Sequence, residues 1–128
     1  MVTTSVVTCA STEAIAERAL DLVIEGLRTG AARRGSAHLA LTGGSSASAL
    51  FGLLRTQPRA ARVDWSRVHV WQGDERYVPL DHPARNRAEA TREWLASDAA
   101  AGATLHPNPI DEAIAGGHDA AWAAARYA

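Results

Sequence analysis

The stretch His38-Leu39-Ala40-Leu41-Thr42-Gly43-Gly44-Ser45-Ser46-Ala47-Ser48-Ala49-Leu50 decides the fold. A short apolar run bounded by glycines reads as a buried strand. The glycine pair is a tight turn, and Ser46 opens a helix whose buried stripe is Leu50, Phe51 and Leu54. Gln57-Pro58 ends that helix, because the residue before a proline is pushed out of the helical region.

Upstream, Ser11 is a helix N-cap with Glu13 in the first turn, where it complements the dipole. Ala16, Leu20, Val23, Ile24 and Leu27 follow at helical spacing, opposite Glu17, Arg18, Asp21, Glu25 and Arg28. The helix ends between Gly30 and Gly35. Residues 3–9 are short and β-branched and are expected to form an edge strand.

Downstream, Asp64-Trp65-Ser66 is a turn and Val68, Val70 and Trp71 form a strand closed by Gly73. Residues 77–85 are a Pro-containing loop. Asn86 with Glu89 forms a capping-box-like pair that starts a helix to about Ala96. Residues 97–110 are expected to be loop, and a last helical stretch runs from Ala113 or Asp119 to Ala128. The order is β, α, β, α, β, α, loop, α. Such alternation predicts an α/β fold: a three-layer, Rossmann-like arrangement of a parallel sheet with helices on both faces.

The chain has 128 residues, 47% hydrophobic and 21% charged, which suits a folded domain and excludes a disordered one. A net charge of -1 gives no bulk reason to expect nucleic acid or an anionic membrane as partner. Cys9 is the single cysteine, so no intrachain disulfide or Cys-based zinc site is expected, and a reducing cytoplasmic setting fits. The first residues lack the charged start and apolar core of a signal peptide, and no run is long and apolar enough for a membrane helix. All 13 basic residues are arginine, so a basic group at any site is a fixed guanidinium fork.

Two segments carry chemistry. At a strand-to-helix junction such as Thr42-Gly43-Gly44-Ser45-Ser46, glycines let the backbone approach a ligand and free N–H groups at the helix start face an anion. The same pattern also suits a plain turn capped by Ser46. It is neither a Walker A loop nor Gly-x-Gly-x-x-Gly. The second segment, Gly73-Asp74-Glu75-Arg76, follows a strand at the same end of the sheet. There an arginine forks onto phosphate and an aspartate orients water or accepts a proton. A solvated, self-neutralising loop is the other reading.

Together the two segments resemble 6-phosphogluconolactonases. Thr42-Gly43-Gly44-Ser45-Ser46 is similar to their Ser-Gly-Gly-Ser-Thr-Pro loop. Asp64 to Pro83, with Trp65, Val68, Asp74-Glu75-Arg76, Val78-Pro79 and His82, resembles their Asp-Glu-Arg segment, and Asn86 matches the Asn that ends it. The resemblance covers about residues 5–128. It implies the α/β fold shared with sugar-phosphate isomerases, and hydrolysis of 6-phosphogluconolactone to 6-phosphogluconate in the oxidative pentose phosphate pathway. It implies no metal and no organic cofactor, a small sugar phosphate as ligand, and neither nucleic acid nor membrane as partner. Carried over by position, Gly43, Gly44, Ser45 and Ser46 line the sugar-phosphate pocket, Arg76 holds the phosphate, and Asp74 orients the substrate or a catalytic histidine.

Ala47 stands where the family has proline, and Ser46 where it has threonine. The family's general-base histidine lies in a Gly-x-Asp-Gly-His segment that this sequence does not contain; Gly116-Gly117-His118-Asp119 lacks its flanks. Residues 1–128 are therefore expected to be the N-terminal portion of a single lactonase-like domain, with little or no activity alone. A glucosamine-6-phosphate isomerase or deaminase and a non-catalytic sugar-phosphate-binding fragment are the alternatives. No histidine has metal-ligand spacing: His69 alternates with Val68 and Val70 and reads as a packed or surface residue, His38 begins a strand, His106 sits in a Pro-rich loop with no partner, and His82 belongs to the matching loop.

Overall fold

The computed structural model describes residues 2–128. Helix α1 spans Thr12–Arg34. Ser11 caps it by accepting from the Ala14 N–H at 3.2 Å, and Gly35, at φ +82°, ends it in the left-handed conformation that glycine adopts without strain. Its buried residues Ala16, Leu20, Ile24 and Leu27 are those of the apolar stripe, and Gly30 is buried with them where the helix nears Ala37. Hydrogen bonds from its own backbone and from Ser11 hold the Glu13 carboxyl below the ordinary range. That contribution is present at neutral pH and fades as pH falls through the lowered value. Ser11→Ala is expected to cost about 1 kcal/mol in urea unfolding. An unchanged midpoint would remove the cap from the list of stabilising contacts.

Strand β1 (Ala37–Leu41) leads into α2 (Ser45–Thr56), and β2 (Val68–Gln72) into α3 (Asn86–Ala90), which continues as a π-type turn over Thr91–Leu95. Strand β3 (Thr104–His106) precedes α4 (Ile110–Ala115) and α5 (Ala120–Tyr127). The sheet is parallel in the order β1-β2-β3, with Leu39 opposite Val70 and Val70 opposite Leu105. One face packs Ala37, Leu41, Val68 and Val70 into a core with Leu20, Ile24, Leu27, Phe51, Leu54 and Trp94. Each fully buried large side chain there contributes roughly 1.5–3 kcal/mol.

The other face carries a row of rings. His38 stacks on His69 at 4.8 Å, His69 lies 5.1 Å from His106, and Trp71 stacks on His106 at 3.8 Å. Helix α5 reaches this face through Tyr127, whose hydroxyl accepts from the Gln72 N–H (2.8 Å) and donates to the His106 carbonyl (2.9 Å). It thereby bridges β2 and β3 where their ladder ends. His69 is thus a packed residue, as its strand position suggests, whereas His106, expected in a loop with no partner, lies in β3 with its Nε2 2.8 Å from His69 Nδ1.

Two expectations are corrected. Residues 3–9 form no strand: Val6 is 88% exposed and Val7 56%, and a β-branched run has nothing to gain from extension without a neighbour to pair with. Residues 97–110 are not all loop, since β3 lies within them. It is a three-residue edge strand with two exposed residues, too short and too polar for period-two alternation to reveal. The final helical stretch is two helices, broken at Gly116–Gly117 and restarted by Asp119, which accepts from the Trp122 N–H. Among the described residues no helix is long and apolar enough to cross a membrane.

Candidate sugar-phosphate site

The two motifs meet at the carboxyl ends of adjacent parallel strands, where α/β sheets bind ligands. After β1 the chain passes through Thr42 and Gly43 to Gly44, the N-cap of α2. Gly44 has φ +95° and ψ 175°, a region open in practice to glycine alone. No side chain caps this helix. Ser46 is its second residue rather than its cap, so the plain capped-turn reading of the loop is not what forms. Ser45 and Ser46 are exposed, beside the first backbone N–H groups and the positive end of a 12-residue helix.

After β2, the Gly73 N–H donates to the Leu41 carbonyl at 2.7 Å, tying the two strand ends together. Asp74 follows, exposed, and accepts from Thr42 Oγ1 at 3.4 Å. Asn86 approaches from the other side. Its Nδ2 lies 3.4 Å from the Asp74 carbonyl and 3.5 Å from Oδ1, and its side chain lies against Gly43 so closely that a Cβ there would sit 2.7 Å from Asn86 Cγ. Gly43, Asp74 and Asn86 therefore converge on one point. Arg76 is exposed, and its guanidinium enters no ion pair among the described residues. A free guanidinium fork and exposed helix-start N–H groups at one end of the sheet suit an oxyanion.

The residues that hold this site together escaped the sequence reading. Glu75, whose side chain is 1% exposed, accepts from the backbone N–H groups of Arg76 (2.8 Å), Asn86 (2.7 Å) and Arg87 (2.8 Å). Arg85, 0% exposed, lies with Nε 3.0 Å from Glu75 Oε2; it is a charge contact, since Nε makes no hydrogen bond. Its terminal nitrogens donate to the Val78 carbonyl at 2.8 Å and, two-pronged, to Asp111 at 3.2 Å. Asp111 also accepts from the Leu80 N–H. Helix α3 is thus capped by Glu75 from across the loop. The expected Asn86–Glu89 capping box does not form, because the N-cap position is Arg85 and Asn86 is the first helical residue. Nothing local marked the partners of Arg85: Asp81 and Glu89 lie four residues to either side in sequence, yet the carboxylates it meets are those of Glu75 and Asp111.

Asp74 also borders a cavity of about 280 Å³ shared with Gln72, Tyr77, Asn108, Ala123 and Tyr127. Among the described residues no group of three or more His, Cys, Asp or Glu is gathered to hold a metal ion.

The parallel sheet and its glycine loop define an α/β protein of the sugar-phosphate isomerase and lactonase type. The family model described as glucosamine-6-phosphate isomerases/6-phosphogluconolactonase matches residues 10–128, and the chain belongs to that family. A curated 6-phosphogluconolactonase from Streptomyces coelicolor is 36% identical over 120 residues, covering 91% of this chain and 44% of its own length. One from Synechocystis is 38% identical over 93 residues, covering 73% of this chain and 37% of its own length. The crystal structure of a 6-phosphogluconolactonase from Shewanella baltica superposes with a TM-score of 0.68 at 30% identity, covering 91% of this chain and 47% of that one. The 6-phosphogluconolactonase from Trypanosoma cruzi shares the fold, at a TM-score of 0.76 and 20% identity. The chain thus spans less than half the length of these relatives.

Proposed function

We propose that this chain supplies the substrate-binding part of a 6-phosphogluconolactonase, and that residues 1–128 correspond to the N-terminal portion of one such domain. The observation that carries the reading is the convergence of the Gly43–Gly44 loop with Asp74 and Asn86 at the ends of β1 and β2; Arg76, two residues after Asp74, is exposed and in no ion pair among the described residues. In it, the N–H groups of Ser45 and Ser46 and the fork of Arg76 receive the 6-phosphate, with Gly43 and Gly44 keeping the approach open. Asp74 orients the sugar. Water adds to the lactone carbonyl carbon, the ring C–O bond breaks to a hydroxyl, and the new carboxylate is released with a proton. A proton acceptor is needed for the attacking water, and the resemblance assigns it to a histidine segment that this sequence does not contain. Binding and orientation are what these residues provide, and such positioning lowers a barrier substantially. The setting proposed is cytoplasmic, the ligand a small sugar phosphate.

Calorimetric titration with 6-phosphogluconate and with gluconate tests this. A charged hydrogen bond contributes about 1.5–3 kcal/mol, so Arg76→Ala should weaken 6-phosphogluconate about tenfold to a hundredfold. Gluconate should respond little. Equal loss for both ligands would show that Arg76 is not the phosphate anchor.

A further inference from the structure

We propose that Glu75 is the positioning residue of this site, fixing Gly43, Asp74 and Arg76 relative to one another through the backbone of Arg76 and the side chain of Asn86. The inference rests on the reading of the glycine loop and Arg76 as a phosphate site, and it adds what holds that site in shape.

A carboxylate has about four lone-pair positions, and three of those of Glu75 are taken by backbone N–H groups. Oε1 takes the N–H groups of Arg76 and Asn86, while Oε2 takes the N–H of Arg87 and faces Arg85 Nε. With its side chain 1% exposed and three backbone N–H groups donating to it, Glu75 holds backbone and is given no catalytic role. What it does is geometric. One oxygen shared by the N–H groups of Arg76 and Asn86 closes the intervening loop at its neck. Asn86 is then held by its backbone, and its side chain has one place to go: against Gly43, with Nδ2 toward Asp74. Arg76 is located directly, and Gly43 and Asp74 are located through Asn86.

Helix capping alone does not require this arrangement. A short polar residue at the N-cap position would satisfy the first N–H groups of α3 locally. That position is instead Arg85, which has no acceptor in its side chain. Capping from the far end of the loop couples the start of α3 to the residue that lies between Asp74 and Arg76 in the sequence. The cost is a buried charge pair, offset by the three backbone N–H groups that donate to Glu75 and by the bonds from the Arg85 terminal nitrogens to Val78 and Asp111, although Arg85 Nε makes none.

The test is amide NMR on the 128-residue chain, free and titrated with inorganic phosphate. In Glu75→Gln one acceptor oxygen becomes an NH2 facing other donors. Exchange at Arg76, Asn86 and Arg87 should accelerate, the Gly43 and Gly44 resonances should move, and phosphate affinity should fall about tenfold or more. Faster exchange with Gly43 and Gly44 unmoved would make Glu75 a helix cap and nothing more. Asn86→Ala guards against a Glu75 variant that fails to fold, because it keeps the backbone N–H that Glu75 binds. It should move Gly43 and Gly44 and weaken phosphate while exchange at Arg76 and Arg87 stays as it was. Unmoved glycines in Asn86→Ala would overturn the proposal. If the unaltered chain binds no phosphate, the phosphate reading falls, and the glycine resonances alone decide the positioning role.

Discussion

Trp94→Ala is expected to lose about 3–5 kcal/mol of stability, the range for truncating a buried aromatic. Total stability for a domain is roughly 5–15 kcal/mol, so the loss is a large fraction of the whole and the urea midpoint should fall steeply. Trp94 has no exposed surface and is the largest fully buried side chain of the core. Its ring stacks on Phe51 of α2 at 6.1 Å and meets the edge of Trp65 at 5.1 Å. One side chain therefore joins α2, the turn before β2 and the turn after α3, and nothing nearby is free to fill its volume. The same residue offers an internal control. Trp94 Nε1 is buried without a hydrogen-bond partner, whereas Trp65 Nε1 donates to the Ala60 carbonyl. Trp94→Phe removes an unsatisfied donor along with some volume, so its cost should be well below that of alanine. Urea unfolding of the two variants decides the matter. If alanine costs no more than phenylalanine, the ring is not the joint between these elements.

What was legible in the sequence was whatever depends on neighbours along the chain. Ser11 and Gly35 mark the two ends of α1 because caps are local, and its stripe is visible because helical spacing is local. The Leu41-Thr42-Gly43-Gly44 junction announced a strand ending in a glycine turn into a helix for the same reason. The failures share an opposite cause. Residues 3–9 have the composition of a strand, but strand formation is decided by a partner, and none lies beside them. Strand β3 exists because β2 offers it a ladder, although Thr104, Leu105 and His106 show no alternation. Glu75 sits between two residues singled out for chemistry, yet its carboxylate serves N–H groups up to 12 residues away, a distance no local pattern encodes. Asn86 was visible as part of a motif. Its side chain against Gly43, 43 positions earlier in the chain, was not.

That last contact makes Gly43→Ala the substitution with the largest expected effect on binding. A Cβ at Gly43 would lie 2.7 Å from Asn86 Cγ and 3.3 Å from Nδ2, and nearer still to Oδ1. Asn86 cannot swing clear cheaply, because it is 8% exposed and its backbone is held by Glu75. Either the β1–α2 turn or the start of α3 must move, at the cost of overpacking, about 1–3 kcal/mol. A shift of about 1 Å in a positioned group is enough for a hundredfold functional loss, so phosphate binding at this loop should fall by about that factor. Gly44→Ala is a different experiment one residue on. No atom lies within 4 Å of its Cβ position, and only backbone strain at φ +95° opposes it, about 1–3 kcal/mol. The two mechanisms separate in a double variant. Removing the Asn86 side chain relieves the clash but not the strain, so Gly43→Ala with Asn86→Ala should be more stable than the sum of the single losses, while Gly44→Ala with Asn86→Ala should be additive. A Gly43→Ala chain that keeps its full stability and its phosphate affinity would show that Asn86 does not press on the loop, and the geometry proposed for the site would go with it.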